Sequence, residues 1–239
     1  APAGSGVPAP HCRHHPVPVM ETLLSYQPQD LLLFSPRAYW ALVAGNNATW
    51  WFLALLAPIA GLITLWLTGL HNPRGHRSLL VVTALAWWFV TWSFLWEQYR
   101  AINWAVDWAI APFIAMGVVL LLCAANSPAP SPRRHRRWIG LLLITWGTLI
   151  HPLGFLVDQR GIEAADTWLL FPEPLAIATL GLVLVLVDGW RLALAIPVPT
   201  LWSLLGGATL LGLGSPVGWG VLAAAGVALV GALPLTARR

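Results

Sequence analysis

Long apolar runs alternate with short polar stretches along most of the chain. A bilayer core of about 30 Å requires about 20 apolar residues of helix, and seven runs approach that length. They lie at 47–70, 78–96, 104–125, 138–157, 168–187, 197–214 and 216–236. The pattern therefore predicts an all-α fold, a polytopic transmembrane helical bundle of about seven spans.

The last two runs differ from the others because helix-breaking residues interrupt them. These residues are Pro197, Pro199, Gly212, Gly214 and Pro216. A re-entrant pair is therefore an alternative to two full crossings. Small residues also recur four apart, at Ala208/Gly212 and Gly220/Ala224, and in lipid such spacing lets helix backbones approach closely. We expect either close packing of these two helices or an oligomer interface.

The N-terminal region has a different composition. Residues 1–19 are rich in proline and lack an apolar stretch, so we interpret them as a disordered lead-in or an upstream translation artefact. Residues 20–46 form an N-terminal segment, in which Ser35 followed by Pro36 is typical of a helix start. A short interfacial helix is expected from Pro36 to Leu42. The transmembrane bundle then occupies 47–236.

Composition supports a membrane protein and excludes several other classes. Of the 239 residues, 58% are hydrophobic and only 9% are charged, whereas soluble domains carry about 25% charged residues. A soluble enzyme, a disordered chain and a nucleic-acid-binding domain are therefore excluded. The basic residues are all arginine and lie mostly in gaps between apolar runs, so they indicate topology rather than nucleic-acid binding.

The arginines are distributed unequally between the two sides of a seven-span bundle. One side would hold Arg74, Arg77, Arg133, Arg134, Arg136, Arg137, Arg191, Arg238 and Arg239. The other side would hold Arg37, Arg100 and Arg160, with most of the carboxylates. Because cytoplasmic loops are enriched in basic residues, we predict an outside N-terminus and an inside C-terminus.

The chain contains 16 tryptophans, and most lie near predicted helix ends, as in an interfacial aromatic belt. Trp88, Trp92 and Trp96 recur every fourth residue and therefore share one helix face. Such a stripe is typical of helix packing, and it could also bind a cation or an aromatic ligand.

A set of polar side chains falls in the predicted outer half of the membrane. Ionisable groups at that depth cost free energy, which makes each a candidate functional residue. The predicted ligand-binding residues are Glu97, Tyr99, Arg100, Asp107, His151 and Glu173. Prolines at 152, 172 and 174 remove backbone donors beside them.

Three interpretations of this set remain open. The groups could line a cavity that binds a proton, a cation or a polar solute. His151 could act as a general base or metal ligand with a carboxylate partner. Alternatively, Glu97 and Asp107 pair with Arg100 and no site exists. The sequence contains no recognisable enzyme motif, so we expect no catalytic residue, no metal and no cofactor. We also expect His151 to face the bundle interior.

Several ordered motifs carry a family resemblance. They are LLLFSPRAYW, GNNATWW, RAINWA, HPLGF, LLFPEPLAIATLGL and IPVPTLWSLLGGA. From about residue 20 to 236 the chain resembles an uncharacterised family of bacterial multipass integral membrane proteins, a domain of unknown function sometimes labelled permease. That family often has P-C-P-T where this chain has Pro172-Glu173-Pro174-Leu175, so the resemblance does not extend to Glu173.

The resemblance implies an integral protein of a bacterial cytoplasmic membrane without an established activity. We expect it to bind or transport a small solute or ion through the outer polar cluster. The alternative is an accessory or assembly subunit without its own site, paired with an oligomeric or complex partner. The lipid bilayer is an expected partner in both cases, and nucleic acid is not.

Overall fold

The structure, a computed structural model, describes residues 32, 34–70, 72–126 and 133–233. All regular secondary structure in these ranges is helical, in agreement with the predicted all-α class. Within the described ranges, five helices are long and apolar enough to cross a membrane: Trp51–Gly69, Pro73–Ala101, Trp104–Ala125, Arg134–Val157 and Trp190–Gly212. Two shorter apolar helices are Pro172–Leu186 and Val217–Ala232. The lead-in predicted at 1–19 lies outside the described residues.

The crossing segments contain several helical elements each. The α-helices are α1 (Pro36–Thr49), α2 (Trp51–Gly69), α3 (Pro73–Val90), α4 (Asp107–Ala125), α5 (Arg134–Thr145), α6 (Gly154–Val157), α7 (Pro172–Leu186), α8 (Trp190–Ala195), α9 (Pro197–Gly212) and α10 (Val217–Ala232). A π-helical turn, Thr91–Trp96, extends α3, and another, Trp146–Ile150, extends α5.

The first helix begins where the sequence predicts and ends later. The Ser35 hydroxyl accepts a hydrogen bond from the Ala38 amide at 3.3 Å, and Pro36 occupies the first turn. Helix α1 continues to Thr49, past the expected end at Leu42 and past the expected start of the bundle at residue 47. The backbone leaves helical geometry at Trp50, which separates α1 from α2.

Helix α7 lies at the centre of the bundle. All 15 of its residues are buried, and it contacts α2, α3, α5, α8, α9 and α10. Two glycine positions bring α5 and α7 into backbone contact. A Cβ atom on Gly140 would lie 2.7 Å from the carbonyl oxygen of Gly181, and one on Gly181 would lie 2.5 Å from that of Gly140. Only glycine therefore fits at this crossing.

Helices α9 and α10 pack against each other, as their small residues predict. A close backbone approach involves Gly207 and Gly218, which are not among the predicted alanine–glycine pairs. A Cβ atom on Gly218 would lie 2.5 Å from the Gly207 carbonyl oxygen. Helix α9 is also preceded by α8, so this crossing begins at Trp190, seven residues before the predicted start at 197.

Hydrogen bonds between distant residues define two ends of the bundle. At one end Arg137 donates to the Gly69 carbonyl oxygen at 3.3 Å, and Arg136 donates to that of Val187 at 2.7 Å. We call this the basic end. At the other, the acidic end, Asn47 donates to the Glu163 carbonyl oxygen at 2.8 Å. The candidate polar residues all lie at or near the acidic end.

Candidate functional site

A cavity of about 560 Å³ lies between α4 and α9, with the start of α7 as its inner wall. It extends from the acidic end towards the middle of the bundle, because it is lined by residues 105–113 and 197–209 of the two flanking segments. Most of the lining is aromatic or aliphatic, and its polar members are Tyr99, Asn103, Glu173, Trp202 and Thr209. Its volume and composition are typical of small-molecule sites, which occupy roughly 300–1,000 Å³.

Glu173 places a carboxyl group on the inner wall of this cavity. It lies in the first turn of α7 and is only 5% exposed. Glycine at position 206 of α9 makes room for it, since a Cβ atom there would lie 2.8 Å from Glu173 Oε1. Among the residues that the structure describes, no arginine or histidine nitrogen lies within 4 Å of the Glu173 carboxyl. A buried carboxylate without a cationic partner is costly and marks a candidate site.

Aromatic side chains fix the shape of the cavity wall. Phe113 contacts Trp202 edge-to-face, with ring centroids 4.8 Å apart, and Trp87 on its other side at 4.5 Å. The Trp87 indole donates a hydrogen bond of 2.9 Å to the Thr179 hydroxyl of α7. Edge-to-face packing and this hydrogen bond hold the wall rigidly against the central helix.

The cavity opens sideways between α4 and α9. Three of its lining residues face away from the protein: Trp108 is 79% exposed, Leu201 57% and Leu205 54%. All three are apolar, as expected of a surface that contacts lipid tails. The opening is therefore on the side of the bundle.

A second polar feature, the Arg160 network, lies in the loop between α6 and α7. Arg160 Nη2 lies 3.0 Å from Asp158 Oδ2, and Nη1 donates to the Ala164 carbonyl oxygen at 2.7 Å. Ser215, before α10, donates a hydrogen bond of 2.7 Å to the same Asp158 oxygen. The Arg160 and Asp158 side chains are 9% and 8% exposed, so the network is a buried ion pair.

Asp166 and His151 lie beside this network. Asp166 Oδ2 is 3.7 Å from Arg160 Nη2 and 3.9 Å from His151 Nε2. Burial raises the pKa of the Asp166 carboxyl to about 7, Arg160 opposes the shift and Asp158 adds to it. One guanidinium therefore serves two carboxyl groups, and the more distant one readily holds a proton.

Tyr39 of α1 lies between the cavity wall and the Arg160 network. Its ring contacts that of Tyr99, with centroids 5.9 Å apart. Burial raises the pKa of the Tyr39 phenol well above its usual range, and the neighbouring Glu173 and Asp166 carboxyls raise it further. The two polar features are thus close enough to interact electrostatically.

The structure divides the six predicted residues into three groups. Tyr99 and Glu173 line the cavity. His151 is buried beside Asp166 and faces the interior, as predicted. Arg100 pairs with Asp107 at 2.8 Å on the surface, where both side chains are 44% exposed, and its guanidinium lies 4.3 Å from the Trp96 ring centroid. Glu97 is also exposed.

Sequence reasoning missed the residues that complete both features. The missed residues of the Arg160 network are Asp158, Arg160 and Asp166, whose charges were used only to predict topology. The missed residue of the cavity wall is Trp202. Four charged residues in the short segment 158–166 were an available signal. Within the described ranges, no group of three or more His, Cys, Asp or Glu residues could hold a metal ion.

A family model described as "Family of unknown function (DUF6064)" matches residues 36–238. No curated protein and no solved structure matches the chain. The match covers most of the sequence and includes every residue of the cavity and the Arg160 network. It confirms the resemblance to a family of unknown function.

Proposed function

We propose that this chain, which belongs to the DUF6064 family, is an integral membrane protein that binds a small solute in the cavity between α4 and α9. Five helices among the described residues are long and apolar enough to cross a membrane, which supports this proposal. A bacterial cytoplasmic membrane is the proposed location. The N-terminus is outside and the C-terminus inside, because the basic end carries the arginines that cytoplasmic loops favour.

Seven crossings fit this topology although α7 and α10 have only 15 and 16 residues. The usual length of about 20 residues applies to a helix that meets lipid along its whole length. Protein surrounds α7 on every side, so its length is set by its neighbours. The interhelical hydrogen bonds at each end agree with chain segments that alternate between the two ends.

The observation that supports solute binding is the Glu173 carboxyl on the cavity wall. Among the described residues, the other buried or half-buried acidic groups at this end have a basic partner: Asp158 and Asp166 have Arg160, and Asp107 has Arg100. Such pairs are also expected of the alternative function, an accessory or assembly subunit without a site of its own. Glu173 differs because its carboxyl borders open space and has no described cationic partner.

A cavity-filling variant tests the proposal. Two aromatic probes are used: 1-naphthylmethanol, which is neutral, and 1-naphthylmethylamine, which is cationic. Each probe is dialysed against the protein in phosphatidylcholine nanodiscs, and its binding to empty nanodiscs is subtracted. We expect Leu205→Trp, on the cavity wall, to abolish saturable binding. Leu204→Trp is the matched control, since Leu204 is 43% exposed and does not line the cavity. Equal binding by both variants, or no saturable binding of either probe, contradicts the proposal.

A further inference from the structure

We infer that the cavity binds a monovalent organic cation with an aromatic or aliphatic body, which enters sideways from the bilayer. This inference rests on the proposed function and specifies the chemical class of the solute. It is carried by the charge of the lining, by the aromatic surfaces around Glu173 and by the position of the opening.

Among the residues that the structure describes, the lining carries one acidic group. Of the cavity residues, Glu173 is the carboxylic acid, and the remaining polar members are a phenol, an amide, an indole and a hydroxyl. A ligand with a single positive charge therefore matches the site, and it supplies the buried carboxylate with the partner that the described residues do not.

Aromatic rings offer further contacts to a cation. Tyr99, Trp202 and Phe113 line the cavity together with Glu173. The face of an aromatic ring attracts an ammonium group within about 6 Å of its centroid, most strongly where water is excluded. A carboxylate next to such rings favours an alkylammonium or arylalkylammonium group over a neutral polar solute.

The donor set argues for an organic cation over a divalent metal ion. Calcium takes six to eight oxygen ligands and magnesium six, usually with more than one carboxylate. The described residues of this cavity offer a single carboxylate, a few neutral polar groups and a mostly apolar wall. Most of the cavity volume of about 560 Å³ would therefore hold the hydrocarbon part of a ligand.

The opening indicates the route. Trp108, Leu201 and Leu205 form an apolar, exposed rim on the side of the bundle, the side that faces lipid if α4 and α9 cross the membrane as proposed. A cation with an apolar body partitions into the bilayer with its charge near the headgroups. Glu173 lies at the acidic end of the cavity, which the proposed topology places towards the outer headgroups.

The matched naphthyl probes test the charge requirement in the same nanodiscs. Wild type should bind 1-naphthylmethylamine at least about tenfold more tightly than 1-naphthylmethanol, the difference expected of one charge-assisted hydrogen bond. Glu173→Gln should remove this preference and leave the affinity for the alcohol unchanged. Asp107→Asn removes the same charge from the surface pair and should keep the preference. Thermal unfolding followed by circular dichroism establishes that each variant is folded.

The outcomes separate this inference from the proposed function. If both probes bind wild type with equal affinity, or if Glu173→Gln keeps the preference for the amine, the inference about charge is wrong. Solute binding still stands in that case, provided that Leu205→Trp abolishes it. Should Glu173→Gln fail to fold, the comparison of amine with alcohol in wild type decides alone. The inference is also overturned if Asp107→Asn removes the preference for the amine and Glu173→Gln does not.

Discussion

The guanidinium of Arg160 lies over the ring of Trp40, with Cζ 3.5 Å from the ring centroid. This contact joins α1 to the loop between α6 and α7, and it covers the ion pair between Arg160 and Asp158. The first helix is therefore attached to the bundle through the charge network at the acidic end.

Replacing Arg160 should strongly destabilise the protein. In Arg160→Met the buried Asp158 and Asp166 carboxyls lose their cation, and breaking such a pair costs about 3–5 kcal/mol of unfolding free energy. Denaturant titration in mixed micelles measures the loss. Arg100→Met is the control, because its pair with Asp107 is half exposed and worth less than about 1 kcal/mol. Similar losses in the two variants would contradict the assignment of the Arg160 network as a buried ion pair.

Asp166 should make stability depend on pH. Its pKa is about 7 in the folded protein and about 3.8 when unfolded, so between these values the folded state binds a proton that the unfolded state does not. Stability from this group is therefore fully present below about pH 4 and decreases as the pH rises to about 7. The measurement compares thermal midpoints at pH 5 and pH 8 with those of Asp166→Asn.

Asp166→Asn should lose this part of the pH dependence. Glu163→Gln, which changes an exposed carboxyl of the same loop, should retain it. If Asp166→Asn has the same pH profile of stability as wild type, the Asp166 carboxyl is ionised in both the folded and the unfolded state over this pH range.

Topology can be tested with single cysteines. In a background with Cys12 and Cys123 replaced by serine, Glu163→Cys lies at the acidic end and Arg77→Cys in the first turns of α3, and both positions are exposed. We expect a membrane-impermeant maleimide to label position 163 in intact spheroplasts and position 77 only after permeabilisation. The reverse pattern would invert the proposed orientation, and labelling of both in intact cells would contradict an odd number of crossings between them.

The α5–α7 crossing should not tolerate a methyl group. In Gly181→Ala the new Cβ would lie 2.5 Å from the Gly140 carbonyl oxygen, so the helices must separate, at a cost of about 1–3 kcal/mol. Gly45→Ala is the matched control in α1, because nothing lies within 4 Å of its Cβ position. That substitution should stabilise its helix by up to about 1 kcal/mol. Equal unfolding free energies for the two variants would exclude tight packing at Gly181.

Local features of the fold could be predicted from the sequence, because they depend on neighbouring residues. The start of α1 follows from Ser35 and Pro36, and the helical class follows from the apolar runs. The break at Trp50 and the early start at Trp190 were missed, although polar residues stand beside both positions: Thr49 precedes the break, and Asp188 and Arg191 flank the start.

The candidate site was predicted only in part, because its members come from distant segments. Glu173 and His151 could be identified from their cost inside apolar runs. That these two residues lie in different features could not be predicted, since it depends on how α5, α7 and α9 pack through Gly140, Gly181 and Gly206. Likewise, nothing in the spacing of Trp40, Arg160 and Ser215 indicates that they meet at one network.

The complete burial of α7 has a consequence for biogenesis. Two of the helices that enclose it, α9 and α10, follow it in the chain and leave the ribosome later. During synthesis one side of α7, a helix of only 15 residues, therefore waits for partners that are not yet made. The carboxyl-terminal hairpin completes the wall around it, so a nascent chain that stops after α7 would lack that part of the enclosure and leave α7 without these partners.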